Sequence, residues 1–121
     1  MANGLSAIGY LYVPKACEAG ATQPCRMAVV LHGCLQSAEI LGTEFYARIG
    51  VNEWADTNRI IVLYPQVQAS SGFFSAYNPK GCWDFWGYSS FNQFAPNFHR
   101  RTAPQMAAVK AMLDRLARPR N

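Results

Sequence analysis

Three stretches of the chain are apolar almost without interruption: IGYLYVP at residues 8–14, MAVVLHG at 27–33 and RIIVLYP at 59–65. Short continuous runs rich in β-branched and aromatic residues, each closed by Pro or Gly, predict strands buried on both faces, as in the core of a parallel sheet. Between the second and third runs the period changes. Val51, Trp54 and Ala55 share a face at helical spacing and Asn58 supplies a stop, so a helix is expected over 51–57. Strand, helix, strand is a βαβ crossover. A last helix is expected over 104–117: Pro104 suits its first turn, and Met106, Val109, Leu113 and Leu116 fall on one face, with Lys110, Asp114 and Arg118 away from it. The expected fold class is therefore α/β with a mostly parallel sheet.

From Gln66 to Ala103 no period persists. This segment nevertheless holds ten of the sixteen aromatic residues and a single carboxylate, Asp84, a composition that argues against disorder. A loop this long in a small protein is usually functional, and its aromatics predict an apolar surface or pocket. There is no internal repeat, low-complexity tract or Gly/Ser linker, so residues 1–121 are expected to form one structural unit.

With 121 residues, half of them hydrophobic, the chain is long enough for one packed core. Its net charge of +4 is scattered apart from Arg100-Arg101 and Arg115, Arg118 and Arg120. A nucleic-acid partner calls for a clustered basic stripe, and none is expected here. No window approaches the roughly 18 consecutive apolar residues of a membrane span, and no basic region precedes an apolar core at the N-terminus, so neither anchor nor signal peptide is read. The cysteines, at 17, 25, 34 and 82, include no C-x-x-C pair, and with His32 and His99 as the only histidines a metal site is not expected. Nor is a cofactor. Disulfides fit better than buried thiols, and Cys17–Cys25 with Cys34–Cys82 is preferred among three connectivities because the first closes a short loop containing Gly20 and Pro24. Disulfides imply an oxidising compartment.

Two short motifs bear on chemistry. GLSAIG at residues 4–9 imitates the nucleophile elbow G-x-S-x-G, but its fifth position is Ile8, too few residues precede Ser6 to form a strand, and the residues after it read as strand, not helix. Ser6 is therefore not assigned as a nucleophile. VVLHGCLQS at 29–37 is different: an apolar run ends on His-Gly, as in the loop that supplies an oxyanion donor in α/β-hydrolases. Cys34 stands at the donor position. His32 is assigned to structure and His99 to the surface.

Taken in order, YVPKAC, LHGCLQS, WADTN, VLYPQ, NPKGCWDFWGY and APQMAAVKAML resemble segments of the extracellular poly(3-hydroxybutyrate) depolymerases and their feruloyl-esterase-like relatives, over about residues 8–117. The resemblance implies a secreted serine esterase of α/β-hydrolase fold with Ser-Asp-His catalysis, acting on a polyester or a smaller ester. It implies an oxyanion N–H at Cys34, disulfides matching Cys17–Cys25 and Cys34–Cys82, and substrate-facing aromatics for which Trp83, Trp86 and Tyr88 are the candidates. Some members of the family are circularly permuted, so that the His-Gly-Cys half comes last. On that pattern these residues are the C-terminal half of a catalytic domain, with no catalytic triad residue in the chain, inactive alone and either paired with an N-terminal half or self-associating. An extracellular or periplasmic location is expected on the same grounds. The rival expectation is a non-catalytic module that binds a polymer or aromatic surface.

Overall fold

The three strands form one sheet in the order β1–β3–β2, with β1 at Tyr10–Tyr12, β2 at Arg26–Val29 and β3 at Ile60–Tyr64. They belong to a computed structural model that describes residues 3–71 and 77–118; Phe73 and Phe74 of the aromatic segment, and the tail from Pro119, lie outside those residues. Two compact units divide the chain, Ser6–Gln66 and a second made of Met1–Leu5 with Val67–Asn121.

In the unit Ser6–Gln66, β2 and β3 run parallel with Ala28 opposite Val62, as a βαβ crossover requires. The first strand departs from expectation: β1 is antiparallel to β3, pairing Tyr10 with Tyr64 and Tyr12 with Val62. The sheet is mixed, which corrects the mostly parallel arrangement read from the sequence. The cause lies in the connection. Between β1 and β2 there is only a 3₁₀ turn at Lys15–Cys17, and the Cys17–Cys25 disulfide, with a sequence separation of 8, folds most of that linker into a closed loop. Too little free chain remains for a crossover that would bring β2 back parallel to β1. All three strands are also shorter than the apolar runs that predict them, because paired strand stops before each closing Pro or Gly. In β2 the ladder extends one bond past Val29, from the Val30 N–H to the Leu63 carbonyl at 3.0 Å, and then releases the chain into the His-Gly turn.

Three helices fill the crossover: α1 at Ala38–Leu41, α2 at Glu44–Arg48 and α3 at Val51–Asn58. Only α3 is expected from periodicity. The other two, of four and five residues, are interrupted by Gly42 and Gly50 and are too short to show a helical period. On α3 the buried position is Ala55, with Val51 partly covered, whereas Trp54 is largely exposed. The core joins Ala55 to Ile60, Val62 and Tyr64 on one face of β3, with Phe45 and Tyr46 of α2 and Tyr10 of β1 packed against them. Tyr10 and Tyr46 stack at 3.9 Å between ring centroids, and Phe45 meets Tyr64 edge to face at 6.3 Å.

The second unit is built on irregular chain and one long helix, α4 at Pro104–Ala117, which occupies the predicted span with Pro104 in its first turn. Its covered side holds Gln105, Val109, Met112, Leu113 and Leu116, while Met106, expected on that side, is exposed. The covered stripe starts one residue earlier than the apolar pattern suggests because the buried first-turn position is a glutamine. A bridge between Leu5 and Val67 and a second between Ser70 and Asn78 tie the loop segments of this unit together.

Candidate functional site

The run that ends on His32-Gly33-Cys34 enters a tight turn. The Gln36 N–H donates to the Gly33 carbonyl at 3.2 Å, closing a four-residue turn whose third residue, Leu35, has φ +61°. A positive φ at the third position is the requirement that usually selects glycine, so a leucine there carries backbone strain. Two side chains hold the turn. His32, 2 % exposed, donates from Nδ1 to the Gly33 carbonyl at 2.7 Å, and its ring meets Phe45 edge-on at 6.2 Å, which ties the turn to the aromatic core. Gln36 reaches back with Oε1 to accept the Gly33 N–H at 2.7 Å. A Cβ on residue 33 would sit 2.7 Å from that Oε1, so a side chain there would displace the end of Gln36 from this bond.

Beyond the turn, Ser37 is buried at the N-cap of α1, but its own side chain makes no cap bond. Gln66, buried just after β3, does this instead: its Oε1 accepts the Ala38 N–H at 2.8 Å. The end of the central strand thereby fixes the start of the helix that comes after the His-Gly turn.

In the second unit Asp84 organises the aromatic segment. Its Oδ1 accepts backbone N–H bonds from Trp86, Gly87 and Tyr88, and its Oδ2 accepts the N–H and hydroxyl of Ser89, all within 2.5–3.1 Å. Partial burial pushes the carboxyl up, but the Ser89 hydroxyl and the N–H groups of Ser89, Gly87 and Trp86 outweigh it and hold Asp84 below the usual aspartate range. Gln105 supports the same segment from α4. Its Oε1 accepts the Asp84 N–H at 2.8 Å, and its Nε2 donates to the Tyr88 hydroxyl at 2.7 Å and to the Asn3 carbonyl at 2.8 Å. Asn78, fully buried, brackets Cys82 by accepting its N–H and donating to its carbonyl.

Among the three aromatic candidates the exposures differ. Trp86 is 41 % exposed and lies against both Phe85 and Tyr88, each at 4.7 Å between centroids. Tyr88 is 3 % exposed, its hydroxyl donating to the Cys82 carbonyl at 2.6 Å, so it faces the interior of this unit. Burial pushes the Tyr88 phenol up, against the lowering pull of Gln105 and with a further push from Asp84, so the phenol remains a donor at any ordinary pH. Trp83 is half-buried beside Cys82 in the chain. Asp84, Gln105, Gln66 and Gln36 escape sequence reasoning; the signal that could have found them is that each sits inside a family-like segment, NPKGCWDFWGY, APQMAAVKAML, VLYPQ and LHGCLQS.

Cys17 and Cys25 are joined with 6.0 Å between their Cα atoms, and Cys34 and Cys82 are likewise oxidised, so no cysteine among the described residues is free. Ser6 lies in extended chain, its N–H donating to the Gln66 carbonyl at 2.9 Å. His99 is exposed beside the Phe98 ring. Among the described residues no group of His, Cys, Asp and Glu is arranged to hold a metal ion, and no helix is long and apolar enough to cross a membrane.

A mixed α/β sheet that hands its parallel strand to a strained His-Gly-Cys turn defines a class when compared with known proteins: the chain is similar to polyhydroxybutyrate depolymerases. A poly(3-hydroxybutyrate) depolymerase of Delftia acidovorans is 42% identical over 115 residues, covering 95% of this chain and 21% of the relative. A polyhydroxybutyrate depolymerase of Talaromyces funiculosus is 40% identical over 121 residues, covering 95% of this chain and 34% of its own length. Two solved structures agree. The crystal structure of the PHB depolymerase from Penicillium funiculosum superposes with a TM-score of 0.81 at 39% identity, over 93% of this chain and 36% of that one. A serine-to-alanine variant of a PHB depolymerase complexed with an R3HB trimer gives a TM-score of 0.72 at 36% identity, with the same coverage. No family model matches the chain. It spans between about a fifth and a third of the length of the relatives it matches.

Proposed function

We propose that this chain is part of a secreted serine esterase of the α/β-hydrolase class that cleaves polyhydroxybutyrate-like polyesters, as the C-terminal half of a circularly permuted catalytic domain. The observation that carries the reading is the similarity of almost the whole chain, in sequence and in fold, to one segment of PHB depolymerases. In the reaction a serine supplied from outside these residues attacks the ester carbonyl, the alkoxide leaves, and water releases the acid from the acyl-enzyme. The chain's share is electrostatic and spatial. The Cys34 N–H receives the charge that develops on the carbonyl oxygen, a role worth about 3–4 kcal/mol for one such donor in other hydrolases. Trp83 and Trp86 offer apolar faces to the polymer, with Tyr88 holding the Trp86 ring from behind. The bound trimer named for one relative supports a polyester ligand of this kind. Oxidation of all four cysteines supports secretion and, with Cys17 joined to Cys25, a Cys34–Cys82 bridge.

The test is turnover. The 121-residue chain, purified alone, is expected to release no acid from amorphous polyhydroxybutyrate or from a short activated ester, and to gain activity when co-expressed with a nucleophile-bearing half. Turnover by the isolated chain that is lost in Ser6→Ala would overturn the reading and restore GLSAIG as an elbow. Sedimentation of the chain with polymer, without hydrolysis under either condition, would favour the binding-module alternative. Non-reducing peptide mapping is expected to recover Cys34 linked to Cys82, and a Cys34 peptide linked elsewhere would refute that pairing.

A further inference from the structure

We propose that Gln36 and His32 are positioning residues that aim the Cys34 N–H, an assignment that rests on the hydrolase reading. The Cys34 N–H and the Gly33 C=O belong to one peptide plane and, in a trans peptide, point in opposite directions. Whatever fixes the carbonyl therefore fixes the amide. That carbonyl is held by two donors, His32 Nδ1 at 2.7 Å and the Gln36 N–H at 3.2 Å. The preceding peptide is held as well, since the Gly33 N–H donates to Gln36 Oε1 at 2.7 Å. Both peptide planes that meet at Gly33 are thus clamped by side chains or backbone of His32 and Gln36, and residue 33 has no rotation left to spend on its neighbour.

The clamp has an electronic effect in addition to its geometric one. Two hydrogen bonds onto a peptide oxygen polarise the amide and strengthen the N–H at its other end as a donor. A donor aimed and polarised before substrate arrives needs no reorganisation during the reaction. The positive φ of Leu35 fits the same account: the turn tolerates a strained leucine because the reciprocal bonds between Gly33 and Gln36 determine its path. Gln36 itself is solvent-exposed, so its side chain does not fill a core. Its side chain serves the backbone of the turn.

The substitutions that test the clamp are Gln36→Leu, which removes the acceptor for the Gly33 N–H, and Gln36→Glu, which keeps one. In the 121-residue chain, amide exchange read by NMR is expected to be roughly tenfold faster at Gly33 in Gln36→Leu, with a displaced Cys34 amide signal, and both are expected to return towards wild type in Gln36→Glu. His32→Phe, which keeps a ring against Phe45, is expected to move the Gly33 carbonyl-carbon signal. A Gly33 amide that is unprotected in wild type, or a Cys34 signal indifferent to Gln36→Leu, would overturn the clamp. In the esterase assembled with its nucleophile half, Gln36→Leu is expected to lower kcat roughly ten- to hundredfold with KM nearly unchanged, and Gln36→Glu to recover most of it. An unchanged kcat in an active enzyme refutes the positioning role alone. An assembled wild type without esterase activity refutes the hydrolase reading and the role together, and leaves the NMR result as a description of loop structure.

Discussion

Asp84 gives the clearest consequence at the scale of single residues. It accepts five hydrogen bonds from four consecutive residues, and its carboxyl is held below the ordinary range. A group whose pKa is depressed by folding adds stability above its unfolded pKa and loses it as the pH falls through the lowered folded value. Asp84→Asn is therefore expected to cost about 2 kcal/mol at neutral pH, the scale of charged hydrogen bonds in a partly exposed setting. The gap between the melting curves of wild type and variant should begin to narrow as the pH drops below the usual aspartate range and close below the lowered folded value. A gap that is constant from pH 7 to strong acid would show that the charge contributes nothing. The position of Asp84 as the lone carboxylate among aromatics is visible in the sequence, but its purpose is not. The same holds for Gln66 and Gln105, whose partners lie 28 and 102 positions away; no local period records a bond of that span. His32 is the opposite case, since the His-Gly pair alone suffices to assign it to structure.

Among elements, legibility tracks length. Helix α4, of 14 residues, carries a stripe long enough to be read, and α3 ends close to where Asn58 suggests. The shorter α1 and α2 form because the chain between β2 and β3 is confined by its ends, not because of their own period, and so escape detection. The direction of β1 is hidden for another reason: apolar runs report burial but not polarity of pairing, which here is decided by a disulfide-closed linker. The loop that carries Trp86 makes a different kind of demand. Gly87 has φ +105°, and a Cβ there would clash with Cβ of Pro96. Gly87→Ala is expected to destabilise the fold by about 2–3 kcal/mol, the sum of torsional strain and overpacking. Adding Pro96→Gly should return the steric part while leaving the torsional part, as read by thermal melts of the single and double variants. Equal stability of the two would show that the close approach is absent.

For the whole molecule the apolar surface is the feature with a measurable outcome. Phe91 and Phe94 are almost wholly in solvent, Ile8 and Trp54 are largely so, and among the described residues β1 and β2 each pair on one side only. Open sheet edges and exposed aromatics each favour association. Sedimentation velocity of the 121-residue chain is expected to show species that grow with concentration and diminish when a nucleophile half is co-expressed. One sharp monomer boundary at every concentration would contradict this. Such surface was legible only as composition, since an aromatic-rich segment without a period announces a surface or a pocket and not which. The side chains that support the two loops also bear on how the proposed esterase would endure its product. Each ester cut frees a carboxylic acid, so a depolymerase working on a solid acidifies the film of water it occupies. Three of the loop supports, Gln36, Gln66 and Gln105, are amides and do not titrate in that film. Asp84, the carboxylate among them, has its protonation postponed to lower pH by the very bonds it makes. The aromatic loop, held by Asp84 and Gln105, would thereby keep its shape in the acid that the proposed reaction releases.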